Sequence, residues 1–503
     1  MEFSYQADIA ILGAGFGGSL TALLVRQLGL RPLLVERGTH PRFALGESAT
    51  PLADLVLADL ARRYGLPRLA PLAEYGSWRT TYPQLVCGLK RGFSYYHHEA
   101  GQPWRPQAKH GNELLVAASL AADDADTHWL RSQFDQFLLD EARAAGIPYL
   151  EQTEIKQVSG GPPWVLSGTS GQRPCRIAAK LLIDASGEGR ALARLLNVAD
   201  QPSRLRTNSR AVYGHFEHVR RWRELLIEAG GAVNDQPFDC DDAALHHLFD
   251  GGWMWVLRFA NGVTSAGWML DQSRWPLDAT LAAAEEWAGR LARFPSIERQ
   301  FANARLVDPP GGLRRTGRLQ HRLDRAAAPG WAMLPTTAYT LDALHSTGNA
   351  HTLSGIERLA GIIERFWNKP ELAKALAEYD RAVQAEISRL DTLVHGCYRA
   401  LGQFDVFAAY AMFYFAAAHT CEMRRRGGAS RTGGFLLADD AAFGAALEAG
   451  YRRLIEITQR GRASEADIRA FEKQVAAAIR PFNTAGLCDP ARENMYPYVV
   501  AAK

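Results

Sequence analysis

Three glycines, an acid and a lysine are the residues on which chemistry can turn. Gly13, Gly15 and Gly18 stand in GAGFGG, directly after the apolar run 9–12, which has the character of a strand buried in a parallel sheet. Residues 19–28 then read as a helix. One glycine permits the tight turn, one lets the backbone approach a pyrophosphate, and one lets helix and strand pack closely. The helix N-terminus offers unpaired N–H groups to phosphate oxygens. A second strand, Pro32–Val35, runs into Glu36, about 20 residues downstream, where a carboxylate holds a ribose hydroxyl. These parts spell a dinucleotide-binding unit.

Further along, Arg42 is placed to meet a phosphate or the edge of a flavin. GESATP (46–51) makes a turn before a helix at 52–64, and Glu47, Ser48 and Thr50 there serve either as helix caps or as cofactor contacts. Lys90 lies in 82–96, which reads as two paired strands with Gly88 and Gly92 as turns or bulges. It is a cation amid apolar and aromatic neighbours, either an exposed strand lysine or an active one. His345 is either a satisfied interior histidine or, with a pKa near 6.5, a base able to deprotonate a phenol.

The elements that must position these residues are legible in outline. Residues 131–146 form an amphipathic helix with Phe134, Phe137, Leu138 and Ala142 on one face. Residues 177–183 are a buried strand leading through Asp184 into DASGEGR, a second strand–turn–helix. Strands interleaved with helices argue a parallel α/β sheet. Residues 211–218, 253–260 and 262–270 read as antiparallel strands with a turn at Asn261 and Gly262, a second sheet roofing the first. A strand and turn at 330–341 precede an amphipathic helix at 355–367 and a mostly helical remainder. One helix gathers Phe404, Phe407, Tyr410, Phe413, Tyr414 and Phe415, either as ordinary packing or as an aromatic wall over a substrate. The basic, Gly-rich stretch 424–434 reads as a solvated or mobile loop, and there is no internal repeat.

At 503 residues the chain calls for two or three joined domains. Its 57 basic and 54 acidic residues leave a net charge of +3, giving no reason to expect nucleic acid or an anionic membrane. Six scattered cysteines without CxxC spacing read as thiols of a reducing compartment, with no metal site. The N-terminus lacks a signal-peptide pattern, and the apolar tract 406–418 is shorter than the ~20 residues a bilayer requires. The expectation is a soluble, cytoplasmic protein.

GAGFGG with Glu36, GESATP after Arg42, GLKRGF around Lys90, DASG, the pair Trp253 and Trp255, and LHSTG at 344–348 follow the order of one family. The chain resembles the flavin-dependent halogenases, relatives of the aromatic hydroxylases, through roughly residues 1–370. Its length and helical tail resemble the phenolic or phloroglucinol branch. The resemblance implies an α/β fold: a Rossmann-like FAD-binding domain, an inserted antiparallel β-sheet substrate domain and a C-terminal helical region. The FAD domain is expected at 1–80, 131–200 and 316–370, the substrate sheet at 81–130 and 201–315, and the helical domain at 371–503.

The resemblance also implies the reaction. FADH2 and oxygen give a flavin C4a-hydroperoxide, chloride or bromide attacks it, and the hypohalous acid is directed by Lys90 onto an electron-rich, phenolic ring. A desolvated lysine suits this because burial favours its neutral form. By the same resemblance FAD contacts fall on Gly13, Gly15, Gly18, Glu36, Arg42, Ser48, Ala49, Arg131, Asp184 and Asp342. The halide falls on the amides of Thr347 and Gly348. Lys90 and His345 are the catalytic candidates, and Phe93, Tyr95, Phe404 and Phe407 the substrate pocket. Electrons come from a separate NAD(P)H-dependent flavin reductase, in secondary-metabolite or antibiotic biosynthesis.

The chain also departs from the pattern. WxWxIP is WMWVLR, with Leu257 and Arg258 replacing Ile and Pro. A glutamate of the tryptophan-directed members is His345. Leu334-Pro335 and Asp342-Ala343 replace Gly-Asp and Asp-Pro. These departures leave two alternatives open, a flavin-dependent hydroxylase and a non-catalytic FAD-binding protein.

Overall fold

The structure, a computed structural model, describes residues 3–428 and 433–497. The chain opens with β1 (Phe3–Leu12), α1 (Phe16–Gln27), β2 (Pro32–Val35) and α2 (Pro51–Arg63). There follow β3 (Cys87–Lys90), β4 (Gly92–His97), β5 (Glu113–Ala117), β6 (Asp126–Trp129), α3 (Arg131–Ala144), β7 (Tyr149–Leu150), β8 (Thr153–Gly160), β9 (Trp164–Ser170) and β10 (Arg173–Asp184). The middle of the chain supplies β11 (Ser209–Glu217), β12 (Ala244–Phe249), β13 (Gly252–Arg258), β14 (Thr264–Asp271) and β15 (Trp331–Met333). It ends in five helices: α4 (Thr347–Phe366), α5 (Glu371–Ala400), α6 (Phe404–Arg426), α7 (Ala441–Gln459) and α8 (Glu465–Ile479).

The first sheet has eight strands, and its parallel part runs in the order β15-β10-β1-β2-β7, with Ile9 opposite both Leu181 and Pro32. Ile9, Ala10 and Ile11 are wholly buried, as an unbroken apolar run in a doubly covered sheet must be. Four of these strands end together: β1 at Leu12, β2 at Val35, β10 at Asp184 and β15 at Met333. The crevice beyond the carboxyl ends is where open α/β sheets bind ligands.

The second sheet runs β11-β14-β13-β12-β4-β5, with residues 305–308 and 495–496 at its edges. The expected pairing within 82–96 does not occur. β3 pairs with β6, Lys90 opposite Asp126, whereas β4 joins β5 and β12 in the large sheet. Arg91 is the corner: its amide donates to the Asp242 carbonyl while its own carbonyl accepts from Ala118. The sheet also takes in β12, which has no alternating pattern because it is buried throughout.

Helix α4 begins at Thr347, eight residues before the predicted start. It packs against α1, α2 and α5, and α6 packs against α2 and α5. Residues 404–418 of α6 are buried on nearly every side, so it is a core helix. No helix among the described residues is long and apolar enough to cross a membrane. The basic loop expected at 424–434 is corrected at its start: Arg424–Arg426 close α6, and Arg425 pairs with Glu357 and Asp59 at 2.8 and 2.9 Å. Residues 429–432 of that stretch lie outside the described residues.

Candidate active site

The Gly-rich turn is shaped for a close-lying phosphate. Gly13 has φ +102° and a Cβ there would lie 2.6 Å from the Ala185 carbonyl oxygen; one on Gly18 would collide with Gly13 itself. Gly15 caps α1 without any side-chain hydrogen bond to the first turn, leaving its amides for an anion. The space where a Gly15 Cβ would stand is 3.9 Å from both Arg42 Nη2 and Arg131 Nη2. Glu36 accepts from the Ala14 amide at 3.0 Å and the Gly38 amide at 2.8 Å. Burial alone would raise its carboxyl, but His40, these amides and the Arg42 charge bring it down to about 2. Nearby, the Ser48 hydroxyl is buried with no partner. Such a cradle fits the dinucleotide expected from the sequence.

Not every expected contact reaches outward. Both Asp184 oxygens are used within the DASG turn, by Ser186 and the Leu192 amide. Asp342 accepts from Ser209, Tyr398 and the Leu344 amide. Burial raises its carboxyl to about 6 against those donors. Arg131 is bidentate on Asp135 and donates to the Leu45 and Gly46 carbonyls, so its chief task is to pin the loop before GESATP. These hydrogen bonds fix both acids in the crevice wall.

Lys90 is fully buried. Its Nζ donates to the Ala49 carbonyl at 2.5 Å, lies 3.8 Å from Asp126 Oδ2, and sits 4.2 Å from the centre of the Phe93 ring. Burial drives the amine down while Asp126, Asp54 and Glu422 hold it up, leaving it at about 8. Residues 47–49 run antiparallel to β6: Trp129 donates to the Glu47 carbonyl and Ala49 to the Thr127 carbonyl. The intervening Ser48 carbonyl turns the other way and accepts from Asn349 of α4, which also holds the Gly46 carbonyl. The GESATP segment thus stands between the lysine and the start of α4.

At that start, Ser346 has φ +51° and makes no side-chain cap bond, leaving the first-turn amides of Thr347 and Gly348 uncapped. A Cβ on Gly348 would meet only Thr336, at 3.7 Å. His345 stacks on Tyr414 with ring centres 4.2 Å apart, sets Nε2 3.5 Å from Cys397 Sγ, and leaves Nδ1 without a partner. Its expected pKa near 6.5 is overturned. Burial, helped by His246, lowers it to about 3, so the ring is a neutral, weakly basic imidazole.

Aromatic side chains gather on Phe93 from further along α6 than Phe404 and Phe407. A cavity of about 20 Å³ next to Lys90 is lined by Phe93, Val116, Tyr414, Phe415, Ala418 and Glu422, room for about one water. The predicted Phe404 and Phe407 pack instead on His97 and Tyr95, two turns earlier on α6. Sequence reasoning missed Asp126, Asn349 and Glu422. For Asp126 a signal existed, an acid in the short alternating strand DTHW. Trp253 and Trp255 bond to Tyr398 and Ser265. Arg258 ties Asp241 to the Val219 carbonyl, which explains why this chain carries arginine in WMWVLR. A cleft of about 1060 Å³ lies elsewhere. Several of its arginines are engaged with acids, Arg358 with Glu386 and Arg63 with Glu364 among them.

This crevice and the second sheet above it define an α/β dinucleotide-binding fold of the flavoprotein kind. No protein-family model matches the chain. It is 28% identical over 414 residues to monodechloroaminopyrrolnitrin halogenase PrnC of Pseudomonas fluorescens, covering 81% of this chain and 70% of that protein. It is 29% identical over 391 residues to tetracycline 7-halogenase of Kitasatospora aureofaciens, covering 75% and 65%. Against those two relatives, then, it spans about two-thirds of the length. In three dimensions it superposes on halogenase PltM, solved in complex with phloroglucinol and FAD, with a TM-score of 0.86 at 21% identity, covering 97% and 99% of the two chains. The flavin-dependent brominase Bmp2 gives a TM-score of 0.65 at 18% identity, covering 91% and 100%. The chain is thus similar in sequence to halogenases and in fold to flavin-dependent ones.

Proposed function

We propose that this protein is an FADH2-dependent halogenase that delivers hypohalous acid by way of Lys90 to an electron-rich, phenolic ring. The carrying observation is Lys90 itself, a wholly buried cation bonded to the GESATP segment, whose other face is held by the helix bearing Thr347 and Gly348.

In this reading the α1 amides and Arg42 bind the FAD pyrophosphate, Glu36 the ribose, and Ser48 and Ala49 line the cofactor side. Bound reduced FAD supplies the electrons with which oxygen oxidises a halide. Thr347 and Gly348 hold chloride or bromide at a positive helix end. The 46–51 segment keeps the substrate away from the cofactor, so only a small oxidant passes to Lys90. Phe93, Tyr414 and Phe415 must part to seat the ring, because the space between them holds about one water. His345, too weak a base to ionise a phenol, offers Nδ1 as a hydrogen-bonding group to the substrate instead. Electrons arrive from a separate flavin reductase.

The experiment is mass spectrometry of phenolic substrates incubated with the protein, FAD, NADH, a flavin reductase and chloride or bromide. Halogenated product supports the reading. Product carrying only added oxygen replaces it with a hydroxylase, and release of peroxide without any product replaces it with a non-catalytic flavoprotein.

A further inference from the structure

The partners of Lys90 share one property. The Ala49 carbonyl accepts a hydrogen, Asp126 is a carboxylate 3.8 Å away, and the Phe93 ring presents its face at 4.2 Å. Each of these suits an ammonium and none donates a hydrogen to an amine lone pair. The groups that face Nζ electrostatically are Asp126 on β6, Asp54 on α2 and Glu422 on α6. His128 on β6 and His246 on β12 also feel its charge, and both are held near 3 by burial, hence neutral. Asp126 differs from the other acids in being set by the ladder: β3 and β6 pair so that it stands directly opposite Lys90, and both side chains are fully buried. Opposite charges facing each other on adjacent strands attract, and in a water-free interior removing one leaves the other at a cost in stability.

We propose that Asp126 is the positioning residue of Lys90: from across the β3–β6 ladder its carboxylate keeps the buried side chain an ammonium and holds it at the Ala49 carbonyl. This rests on the reading of Lys90 as the active lysine, and deepens it. In that state the lysine meets an oxidant as a hydrogen-bond donor. Forming a chloramine needs a proton removed first, giving R–NH2, which then reacts with HOCl to R–NHCl and water; Asp126 opposes the first of these steps.

The test follows the 13Cε resonance of Lys90 through a pH titration, assigned by its disappearance in Lys90→Met. In the wild type it titrates near 8. Asp126→Asn lowers the midpoint by at least about one unit, the scale of a close opposite charge, and Asp126→Glu restores it; an unmoved midpoint in Asp126→Asn overturns the proposal. If Asp126→Asn does not fold, thermal midpoints of Lys90→Met and of the double variant Lys90→Met/Asp126→Asn decide. Removing both charges gives a folded protein where the acid serves the lysine, whereas a double variant that also fails to fold overturns the proposal. Neither readout requires halogenation, so intact coupling in a protein without halogenating activity refutes the functional reading alone.

Discussion

A lysine without water has to be held by its neighbours, and Lys90 has a carbonyl, a carboxylate and a ring face doing so. Lys90→Met keeps the apolar stem and removes the charge; Lys90→Arg keeps a charge but not the amine, and is not conservative at such a site. Both variants are expected to bind FAD, to consume oxygen from reduced flavin, and to make no halogenated product. Retention of product within about tenfold of wild type, roughly 1.4 kcal/mol of barrier, marks Lys90 as structural. Asp342 gives a second residue-scale expectation. Burial lifts its carboxyl from 3.8 to about 6, so the native state holds a proton that the unfolded chain releases above about pH 4. Stability from this group is therefore greatest in acid and falls as pH rises through 6, by on the order of 3 kcal/mol. Asp342→Asn keeps the shape without the charge. Urea midpoints from about pH 4 to about pH 8 should show wild type losing ground to the variant as pH rises; parallel curves contradict this.

At the scale of elements, the start of α4 and the GESATP segment act as one unit because Asn349 bonds two carbonyls of that segment. A Cβ at Gly348 finds room, with Thr336 at 3.7 Å. Gly348→Ala is accordingly expected to fold and bind FAD as wild type does, while the branched side chain of Gly348→Val crowds the uncapped amides and stops halogenation without stopping flavin oxidation. Equal ratios of product to peroxide in all three proteins remove the halide from this turn. Asn349→Ala deletes two hydrogen bonds of about 1 kcal/mol each. Its melting temperature should drop, and its product-to-peroxide ratio should drop with it, since the segment between cofactor and lysine is then unpinned.

For the whole molecule the parallel sheet provides one cofactor crevice. The sequence has a single GxGxxG, and the other strand–turn–helix on that sheet spends its acid, Asp184, on its own turn. Among the described residues no second Gly-rich dinucleotide unit, such as a nicotinamide would need, accompanies it. The protein's flavin should therefore be reduced by NADH only when a flavin reductase is added, followed by the loss of flavin absorbance under anaerobic conditions; rapid bleaching by NADH alone contradicts it.

What the sequence by itself determined was the part governed by local rules. The apolar run 9–12, the glycines after it and the strand ending at Glu36 describe a turn whose geometry depends on its own backbone, and β2 falls at Pro32–Val35 as read. The antiparallel strands and the helical tail likewise follow from short-range periodicity. The tertiary structure decided what depends on partners far along the chain. Residues 347–354, TGNAHTLS, are polar and poor in helix formers, yet they form the first turns of α4 because packing buries most of them. The stretch 82–96 splits between two sheets because its partners, 113–117, 126–129 and 244–249, come from later segments. His345 has an ordinary histidine pKa only as a letter in a sequence; under Tyr414 it loses the water that would solvate its charge. And whether Lys90 is a surface cation or an enclosed one rests on Asp126, Ala49, Phe93 and α6, which only the folded chain brings around it, because desolvation is a property of neighbours and not of the residue itself.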